Sequence, residues 1–408
     1  MKPNTLGFIG IRLREAREAR ELTIAALADL IGVSRQAIYL YEHEIQSPRP
    51  EIMERIANLL HLPIPYFRCH HGIQIGTIFY RSMSATAKLA RLRAQNRYLW
   101  IRMIDSYLRG FIQFPEPNFP KFEMPNNPNQ ISESEIEELA TRTRKFWNLS
   151  DAPIENMVLL LENNGAIVAY DELGAKALDA FSEPSPISNC VQYIILGSDK
   201  ATSVRSRFDA AHELGHKILH WNIVKSYLFR KAEHSLIENQ AHRFASAFLL
   251  PADAFGDDFY SANLDALKSI KPKWKTSIAM MIKRAEDLNF ISSARNLWIN
   301  LSRRGWKTKE PLDDVLEIER PCLLRQALEL VIDQKIRTKQ EIVSQIPLSP
   351  IDIENLVGLG KGYLTEIQEN TSPKISVLKN VQIDHEDQYK PQNNGPADVI
   401  NIHSRRRK

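Results

Sequence analysis

The sequence has few cysteines. Its 408 residues include only Cys69, Cys190 and Cys322, which are far apart and odd in number. This pattern argues against a disulfide framework and favours a reducing compartment. Three cysteines are also too few to ligate an iron–sulfur cluster through thiolates alone within one chain.

The sequence also lacks a long apolar run. No segment approaches the length of about 20 apolar residues that a membrane-spanning helix needs. The apolar stretch from Phe8 to Ile11 leads directly into Arg12, without the longer apolar core and the cleavage site of a signal peptide. We therefore expect a cytoplasmic protein with no membrane partner.

Charge is unevenly distributed along the chain. The formal net charge is +4, yet residues 1–110 alone contain 16 Lys and Arg against 9 Asp and Glu. Basic charge concentrated at one end suggests contact with a polyanion, although a solvated helical surface would explain the charge alone equally well.

The first 67 residues have the pattern of short helices joined by tight turns. Thr23 and Ser34 are typical N-caps of a second and a third helix, and Gly32 ends the second. Pro50 suits the first position of a fourth helix. A proline-rich stretch, residues 114–130, excludes a regular helix or a central strand and predicts an extended linker.

Further along, two strands are predicted at Ala166–Tyr170 and Val191–Leu196, and two long helices at about 203–220 and 235–250. Residues 262–370 are predicted to be wholly helical.

A metal-binding pattern lies in the first of the two long helices. His212-Glu213-Leu214-Gly215-His216 has two histidines four residues apart, so both imidazoles project from one helix face and can hold one cation. Glu213 would lie where a metal-bound water sits and could take its proton.

A third ligand is expected on the second long helix. Glu238 lies on that helix, where the small residues Ala241, Ala245 and Ala247 permit a close approach to the first helix. The alternatives are three histidines. We expect His220 at the rim of the site, His242 beside the ligands, and His234 in an exposed loop.

Residues 207–251 closely resemble the ImmA/IrrE family of metallopeptidases. The resemblance runs from Arg207-Phe208-Asp209, through the motif, to Leu249-Leu250-Pro251. Many members have a second acidic residue where this chain has Gln240, which leaves Glu238 as the acidic candidate of that segment.

The family resemblance implies a catalytic zinc site. It implies Zn²⁺ as the cofactor, with His212, His216 and Glu238 as ligands and Glu213 as the catalytic glutamate. It also implies a compact α+β domain from about residue 132. Known members cleave or inactivate helix-turn-helix repressors, which suggests a protein substrate of that kind.

The N-terminal pattern resembles the XRE/Cro type of helix-turn-helix. The residues that carry it are Leu27-Ala28, Ile31-Gly32-Val33-Ser34, Ile38, Tyr41-Glu42 and Ser47-Pro48. A turn at Gly32 lets the third helix enter the major groove of a double-stranded operator.

Several side chains of this module are predicted to contact DNA. Arg35, Gln36 and Tyr39 are the base-reading candidates. Ser34, just before them, is expected to contact DNA as well. Thr23, Arg12 and Arg49 are the phosphate candidates. Where family members often have Gln after the threonine, this chain has Ile24, and Glu42 is expected to make a structural bond within the domain. The alternative is a small helical bundle for protein contacts.

The fold class is therefore predicted as α+β and predominantly helical. The N-terminal domain is all-α, the central domain is zincin-like with a small sheet, and the C-terminal region is helical. The predicted limits are residues 6–67 for the helix-turn-helix, 68–131 for a connector and linker, 132–260 for the peptidase domain, 261–370 for the helical region and 371–408 for a disordered basic tail.

Two functions fit this organisation. The first is a zinc metallo-endopeptidase tethered to a DNA-binding regulator, which cleaves itself or a partner repressor in a stress or mobile-element response. The second is a non-catalytic transcription factor that uses the peptidase fold as a sensor or dimerisation domain, because no oxyanion-stabilising residue is evident beyond Tyr260, Arg243 and His242. A toxin–antitoxin or phage-defence role is a third class. A homodimer is expected from the way such proteins bind two half-sites.

Overall fold

A computed structural model describes residues 5–70, 72, 79–80, 87–172, 180–182, 191–198, 202–228, 230–365 and 400–401. Cys190 and most of the predicted disordered tail, residues 371–408, lie outside the described residues. Residues 366–370, which end the predicted helical region, lie outside them as well.

The second, third and fourth N-terminal helices begin where Thr23, Ser34 and Pro50 predict. The four N-terminal helices are α1 (Gly10–Ala19), α2 (Ile24–Ile31), α3 (Arg35–Glu42) and α4 (Pro50–Leu60), followed by a 3-10 turn at Ile64–Arg68. The hydroxyls of Thr23 and Ser34 accept hydrogen bonds of 3.1 Å from the Ala26 and Ala37 amides. Gly32 ends α2 with a φ of +71°, a conformation that favours glycine.

A small mixed sheet forms the middle of the molecule. Its strands are, in spatial order, β1 (Phe79–Tyr80), β4 (Ala180–Ser182), β5 (Gln192–Gly197) and β3 (Ala166–Asp171). The strand β3 pairs in parallel with β5, and the other two pairings are antiparallel. The two predicted strands are thus confirmed, whereas β1 and β4 were not predicted. A separate parallel pair joins β2 (Ile112–Gln113) to β6 (Ile400–Asn401).

Helices surround this sheet. A long helix, α5 (Ala87–Leu108), leads from the N-terminal helices to the sheet. The central helices are α6 (Glu133–Phe146), α7 (Met157–Asn163), α8 (Ser203–Leu219), α9 (Lys225–Leu228), α10 (Lys231–Leu249) and α11 (Ala252–Asp258). The later ones are α12 (Leu264–Trp274), α13 (Ile278–Asp287), α14 (Arg295–Arg303), α15 (Leu323–Asp333), α16 (Lys339–Gln345) and α17 (Pro350–Val357). No helix among the described residues has both the length and the apolarity to span a membrane.

The sheet separates two hydrophobic cores. Ile167 and Ala169 of β3 pack on one face with α1–α5 and α15–α17. Val168 of β3 and Ile194 of β5 pack on the other face with α6–α8 and α10–α14. Strands buried on both faces are nearly continuously apolar, and this is why β3 and β5 were recognisable from the sequence.

The proline-rich segment, residues 114–130, contains no α-helix, and a 3-10 turn occupies Pro128–Gln130. The segment packs along the central helices. Phe119 and Met124 are buried in the second core. Trp147 Nε1 donates a 2.7 Å hydrogen bond to the carbonyl of Asn118.

The prediction that residues 262–370 are wholly helical was wrong in two stretches. Residues 358–365 form turns after α17, and residues 304–322 form turns and irregular backbone between α14 and α15. The longer stretch supplies Glu319, whose carboxylate pairs with the buried Arg207 and accepts hydrogen bonds from the backbone amides of Met157 and Val158. Its conformation therefore depends on contacts with residues far away in the sequence.

Candidate metal centre and nucleic-acid interface

The helix α8 places two imidazoles together. It begins at the Thr202 cap, and its central turns are buried on nearly all sides. The Nε2 atoms of His212 and His216 are 3.0 Å apart and lie on one face of the helix. A spacing of four residues on a helix produces this arrangement, and the structure brings the two predicted histidines together.

Glu238 of α10 completes a group of three. Its carboxylate oxygens lie 3.3 Å from His212 Nε2 and 3.5 Å from His216 Nε2. Burial alone would raise the pKa of Glu238, but the interactions with His212 and His216 outweigh it and hold that pKa below its ordinary value. Among the described residues, this is the group of His, Cys, Asp or Glu side chains whose ligand atoms all lie close enough together to hold a metal ion.

The two helices cross unusually closely at the site. A Cβ built on Gly215 would lie 3.1 Å from the carbonyl oxygen and 3.2 Å from the Cα of Ala241. Glycine on α8 and alanine on α10 therefore allow the backbones to approach. Sequence reasoning identified the alanines but missed Gly215, although a glycine inside a helix is itself an indication of close packing.

A hydrogen-bonded chain supports His216 from behind. His220 Nδ1 lies 3.0 Å from His216 Nδ1, and His220 Nε2 lies 3.1 Å from the side-chain oxygen of Gln240. The amide nitrogen of Gln240 donates a 2.8 Å bond to the carbonyl of Pro128. Gln240 thus orients His220. Burial, together with the neighbouring His216, lowers the pKa of His220 and favours its neutral form.

Glu213 is held in place by the sheet. The Ser182 hydroxyl of β4 donates a 2.5 Å hydrogen bond to a Glu213 carboxylate oxygen. Burial raises the pKa of Glu213 to about 7, even though His216 and the Ser182 hydrogen bond act in the opposite direction. A carboxyl group with a pKa near neutrality suits general acid–base work. Ser182 was not predicted, because no local pattern links β4 to α8.

The donor set fits a zinc ion. Both carboxylate oxygens of Glu238 are buried and accept no hydrogen bond within the described chain, while they face two imidazole nitrogens. A buried carboxylate is stable when it is paired or coordinates a metal. Two histidines and one glutamate are a known ligand set of catalytic zinc, in which a fourth position stays open.

The N-terminal half of α3 presents the predicted DNA-reading side chains. Arg35 and Gln36 are exposed at its first turn, and Tyr39 is 48% exposed and stacks on His43 with ring centroids 3.9 Å apart. Thr23 and Ser34 are exposed, but each already caps a helix.

Comparisons with known proteins identify both modules. Residues 161–286 match the family model of the IrrE N-terminal-like domain, a peptidase family, and residues 13–67 match a helix-turn-helix model. The chain joins a helix-turn-helix domain of the XRE type to an ImmA/IrrE-type domain. The helix-turn-helix part is similar to a putative HTH-type transcriptional regulatory protein of Methanocaldococcus jannaschii, MJ1164, with 38% identity over 52 residues. That match covers 13% of this chain and 16% of the relative.

Two predictions about the helix-turn-helix domain have clear outcomes. Arg12 was wrongly assigned to phosphate contact. It is 1% exposed, its Nε donates to the Tyr66 carbonyl, and its guanidinium pairs with Glu15. Glu42 is confirmed as a structural residue, since it is buried and accepts two hydrogen bonds from Arg17. Arg49 remains exposed at the N terminus of α4.

The structure also shows where the alternative third ligand His234 and the oxyanion candidates Tyr260 and Arg243 lie. His234 was predicted in an exposed loop, which was wrong, because it lies half-buried in the first turn of α10. Tyr260 is 71% exposed and bonds to Ser269. Arg243 forms ion pairs with Glu133 and Glu137.

Of the three oxyanion candidates, His242 lies nearest the metal ligands. Its ring centroid is 4.6 Å from that of His212. It also lines a cavity of about 550 Å³, whose walls include Phe208, Met280, Arg243 and Asp287. Most of the lining side chains are polar, and Phe208 and Met280 are the apolar ones.

Proposed function

We propose that the protein is a transcription regulator that binds double-stranded DNA and carries a zinc-dependent metallo-endopeptidase domain. This domain cleaves a helix-turn-helix repressor in a stress or mobile-element response. The observation that carries this proposal is the buried group of His212, His216 and Glu238, with Glu213 on the same helix as the two histidines. The repressor is either this chain or a partner. We further propose that the protein acts as a cytoplasmic homodimer, as two-half-site operators require.

The side chains around the centre have separable roles in this proposal. A zinc ion held by His212, His216 and Glu238 would supply a water with a pKa of about 7 and would polarise a carbonyl group. Glu213 accepts a proton from the attacking water and returns it to the leaving nitrogen. His220 and Gln240 orient His216. The cavity beside His242 receives a substrate side chain.

The strand pairing supports the chain itself as one substrate. The backbone of β1 pairs antiparallel with β4, with Phe79 opposite Ser182, and Ser182 contacts Glu213. A segment of the connector between the two modules therefore runs as an extended strand beside the strand that borders the centre. Extended peptides bind along sheet edges in this manner.

Cleavage is tested in cells and in solution. New N termini are profiled in cells that produce the wild type, Glu213→Gln or Glu238→Ala, and zinc content is measured for each purified protein. The proposal expects peptides that appear with the wild type only, while Glu213→Gln retains zinc. The peptidase role is rejected if the two variants yield the same new N termini as the wild type.

A second function is favoured by one observation. The Ser182 hydrogen bond engages the Glu213 carboxylate, and Glu213 is only 3% exposed. A domain with its acid–base group held in this way could bind metal as a sensor and transmit its state to DNA without turnover. In that case zinc removal changes operator affinity in both the wild type and Glu213→Gln, and no cleavage product forms.

A further inference from the structure

A second cavity lies at the junction of the two modules, away from the metal centre. Its volume is about 830 Å³. Its walls come from the end of α1, from α5, from the loop before α15 and from α17. The carboxyl ends of the parallel strands β3 and β5 contribute Asp171 and Ser198. Ligands of open α/β sheets commonly bind at the carboxyl ends of parallel strands.

Arginine dominates the charge of this cavity. Five arginines line it, against the carboxylates of Asp171, Glu172 and Asp352. Two of the five donate hydrogen bonds to carboxylates. Arg20 binds both oxygens of Asp352 at 2.9 and 2.6 Å, and Arg97 bonds to Asp171 at 2.6 Å and to Asp352 at 3.2 Å.

The remaining guanidinium groups are less well satisfied. Arg93 has only a 3.6 Å ion contact with Glu21 within the part of the chain that the structure describes. The Nε atoms of Arg93 and Arg325 are buried, and neither has a hydrogen-bond acceptor among the described residues. Both side chains line the cavity, where an anion would pair with positive charge that the described chain leaves weakly partnered.

We infer that this cavity binds a small organic anion carrying phosphate or carboxylate groups, and that the anion regulates DNA binding. Guanidinium groups recognise planar carboxylates and phosphates through paired hydrogen bonds. The volume falls in the range of about 300–1,000 Å³ that holds organic ligands rather than a single inorganic ion. Ile351, Leu356 and Val357 form an apolar side that suits a carbon framework.

The inference that the anion regulates DNA binding rests on the proposed function. The ion pairs of Arg20 and Arg97 with Asp352 would connect the cavity to the DNA-binding domain. Arg20 belongs to the helix-turn-helix domain, and its partner Asp352 lies on α17. A bound anion would compete with Asp352 for Arg20 and Arg97. If the anion-bound arrangement of this network holds the DNA-binding domain differently, anion binding changes operator affinity, and operator binding changes anion affinity by the same factor.

Calorimetry of the full chain tests the site without any DNA. Pyrophosphate, ATP and citrate are the probes, each against chloride of matched ionic strength, and they separate phosphate from carboxylate ligands. Arg93→Gln and Arg325→Gln remove charge from the cavity, and Asn355→Trp fills it without changing charge. Arg303→Gln, on the exposed side of α14, is the control for net charge.

At least one probe is expected to bind the wild type and Arg303→Gln with one site per chain. Binding should be at least tenfold weaker in the three cavity variants. The site is rejected if no probe binds saturably, or if the cavity variants bind as the control does. Circular dichroism of each variant separates lost binding from lost folding.

The regulatory role is measured separately on a duplex selected from random sequence. The binding probe is expected to change the affinity for that duplex at least threefold in the wild type, and to leave Arg93→Gln unaffected. If the probe binds but the affinity is constant, the regulatory role is wrong while the site stands. If the protein binds no duplex, the proposed DNA-binding function fails, and the calorimetric result is unaffected.

The fluorescence of Trp100 provides a further readout. This buried indole lies 5.2 Å from the Arg20 guanidinium and 5.5 Å from that of Arg97. Displacement of either arginine should change its emission, and the change should be absent from Trp100→Phe. Constant emission at saturation with a probe would contradict competition for Arg20 and Arg97.

Discussion

Gly215 of α8 lies directly against the backbone of Ala241 of α10. A methyl group at Gly215 would be 3.1 Å from the Ala241 carbonyl oxygen, which is backbone and cannot rotate away. The distance between Glu238 and the two histidines therefore depends on a residue that carries no side chain.

We expect Gly215→Ala to weaken zinc binding about tenfold, as is typical of changes just outside a ligand set. Alanine improves helix propensity by about 1 kcal/mol, so the variant should remain folded. The measurement is competition with a chromophoric chelator, with thermal unfolding as the control. Unchanged zinc affinity would show that the close crossing does not set the ligand geometry.

Removal of the Glu238 carboxylate should abolish stoichiometric zinc. Glu238→Ala leaves only two imidazoles, whereas catalytic zinc sites use three protein ligands. Asn239→Ala, an exposed neighbour on the same helix, is the matched control and should retain one zinc per chain. Metal content is measured by mass spectrometry of the purified proteins. If Glu238→Ala retains one zinc per chain, Glu238 is not the third ligand.

His242 and Tyr260 should behave differently if His242 stabilises the oxyanion. His242→Ala is expected to lower kcat roughly 100-fold, in line with the loss of an oxyanion-stabilising group. Tyr260→Phe should have no effect, because Tyr260 is exposed and bonds to Ser269. Both variants must retain zinc for the comparison to hold. Equal kcat values for the two would remove His242 from the proposed mechanism.

The ion network around Asp352 should make stability depend on acid pH. Burial disfavours the Asp352 carboxylate, but the hydrogen bonds and charges of Arg20 and Arg97 prevail and lower its pKa. A lowered folded-state pKa contributes stability above the unfolded value of about 3.9, and this contribution is lost as the pH falls below it.

The check is urea unfolding of the wild type and Asp352→Asn across pH. At pH 7 the variant should be less stable by about 3 kcal/mol, since it leaves buried guanidinium groups underpaired. The difference should shrink as the pH falls below about 3.9. A difference that stays constant over this range would mean that Asp352 contributes through shape rather than charge.

Arg35 and Arg49 should differ in what they contribute to DNA binding. Arg35→Ala is expected to cost about 1–3 kcal/mol on a selected duplex and little on random DNA, because Arg35 lies on the exposed reading face of α3. Arg49→Ala should weaken binding to all duplexes and reduce the salt slope by about 1. The measurement is fluorescence anisotropy at several salt concentrations. If Arg35→Ala weakens binding to the selected and the random duplex equally, Arg35 contacts phosphate rather than bases.

Local rules in the sequence determined much of this molecule. Thr23 and Ser34 predict their helices because an N-cap hydroxyl satisfies free amides nearby in the chain. The spacing of His212 and His216 predicts a shared face because the helical period is fixed. The apolar runs of β3 and β5 predict strands buried on both faces. Each of these features depends on residues within a few positions of one another.

Only the tertiary structure decided the remainder. Ser182 reaches Glu213 across 31 positions, and Gln240 reaches Pro128 across 112. Arg12 looked like a phosphate ligand, but it packs on Tyr66, since burial depends on which elements meet. Arg20 and Asp352 are 332 positions apart and still form one ion pair. Such contacts depend on how helices that are distant in the sequence pack around the sheet, and no short sequence pattern specifies that packing.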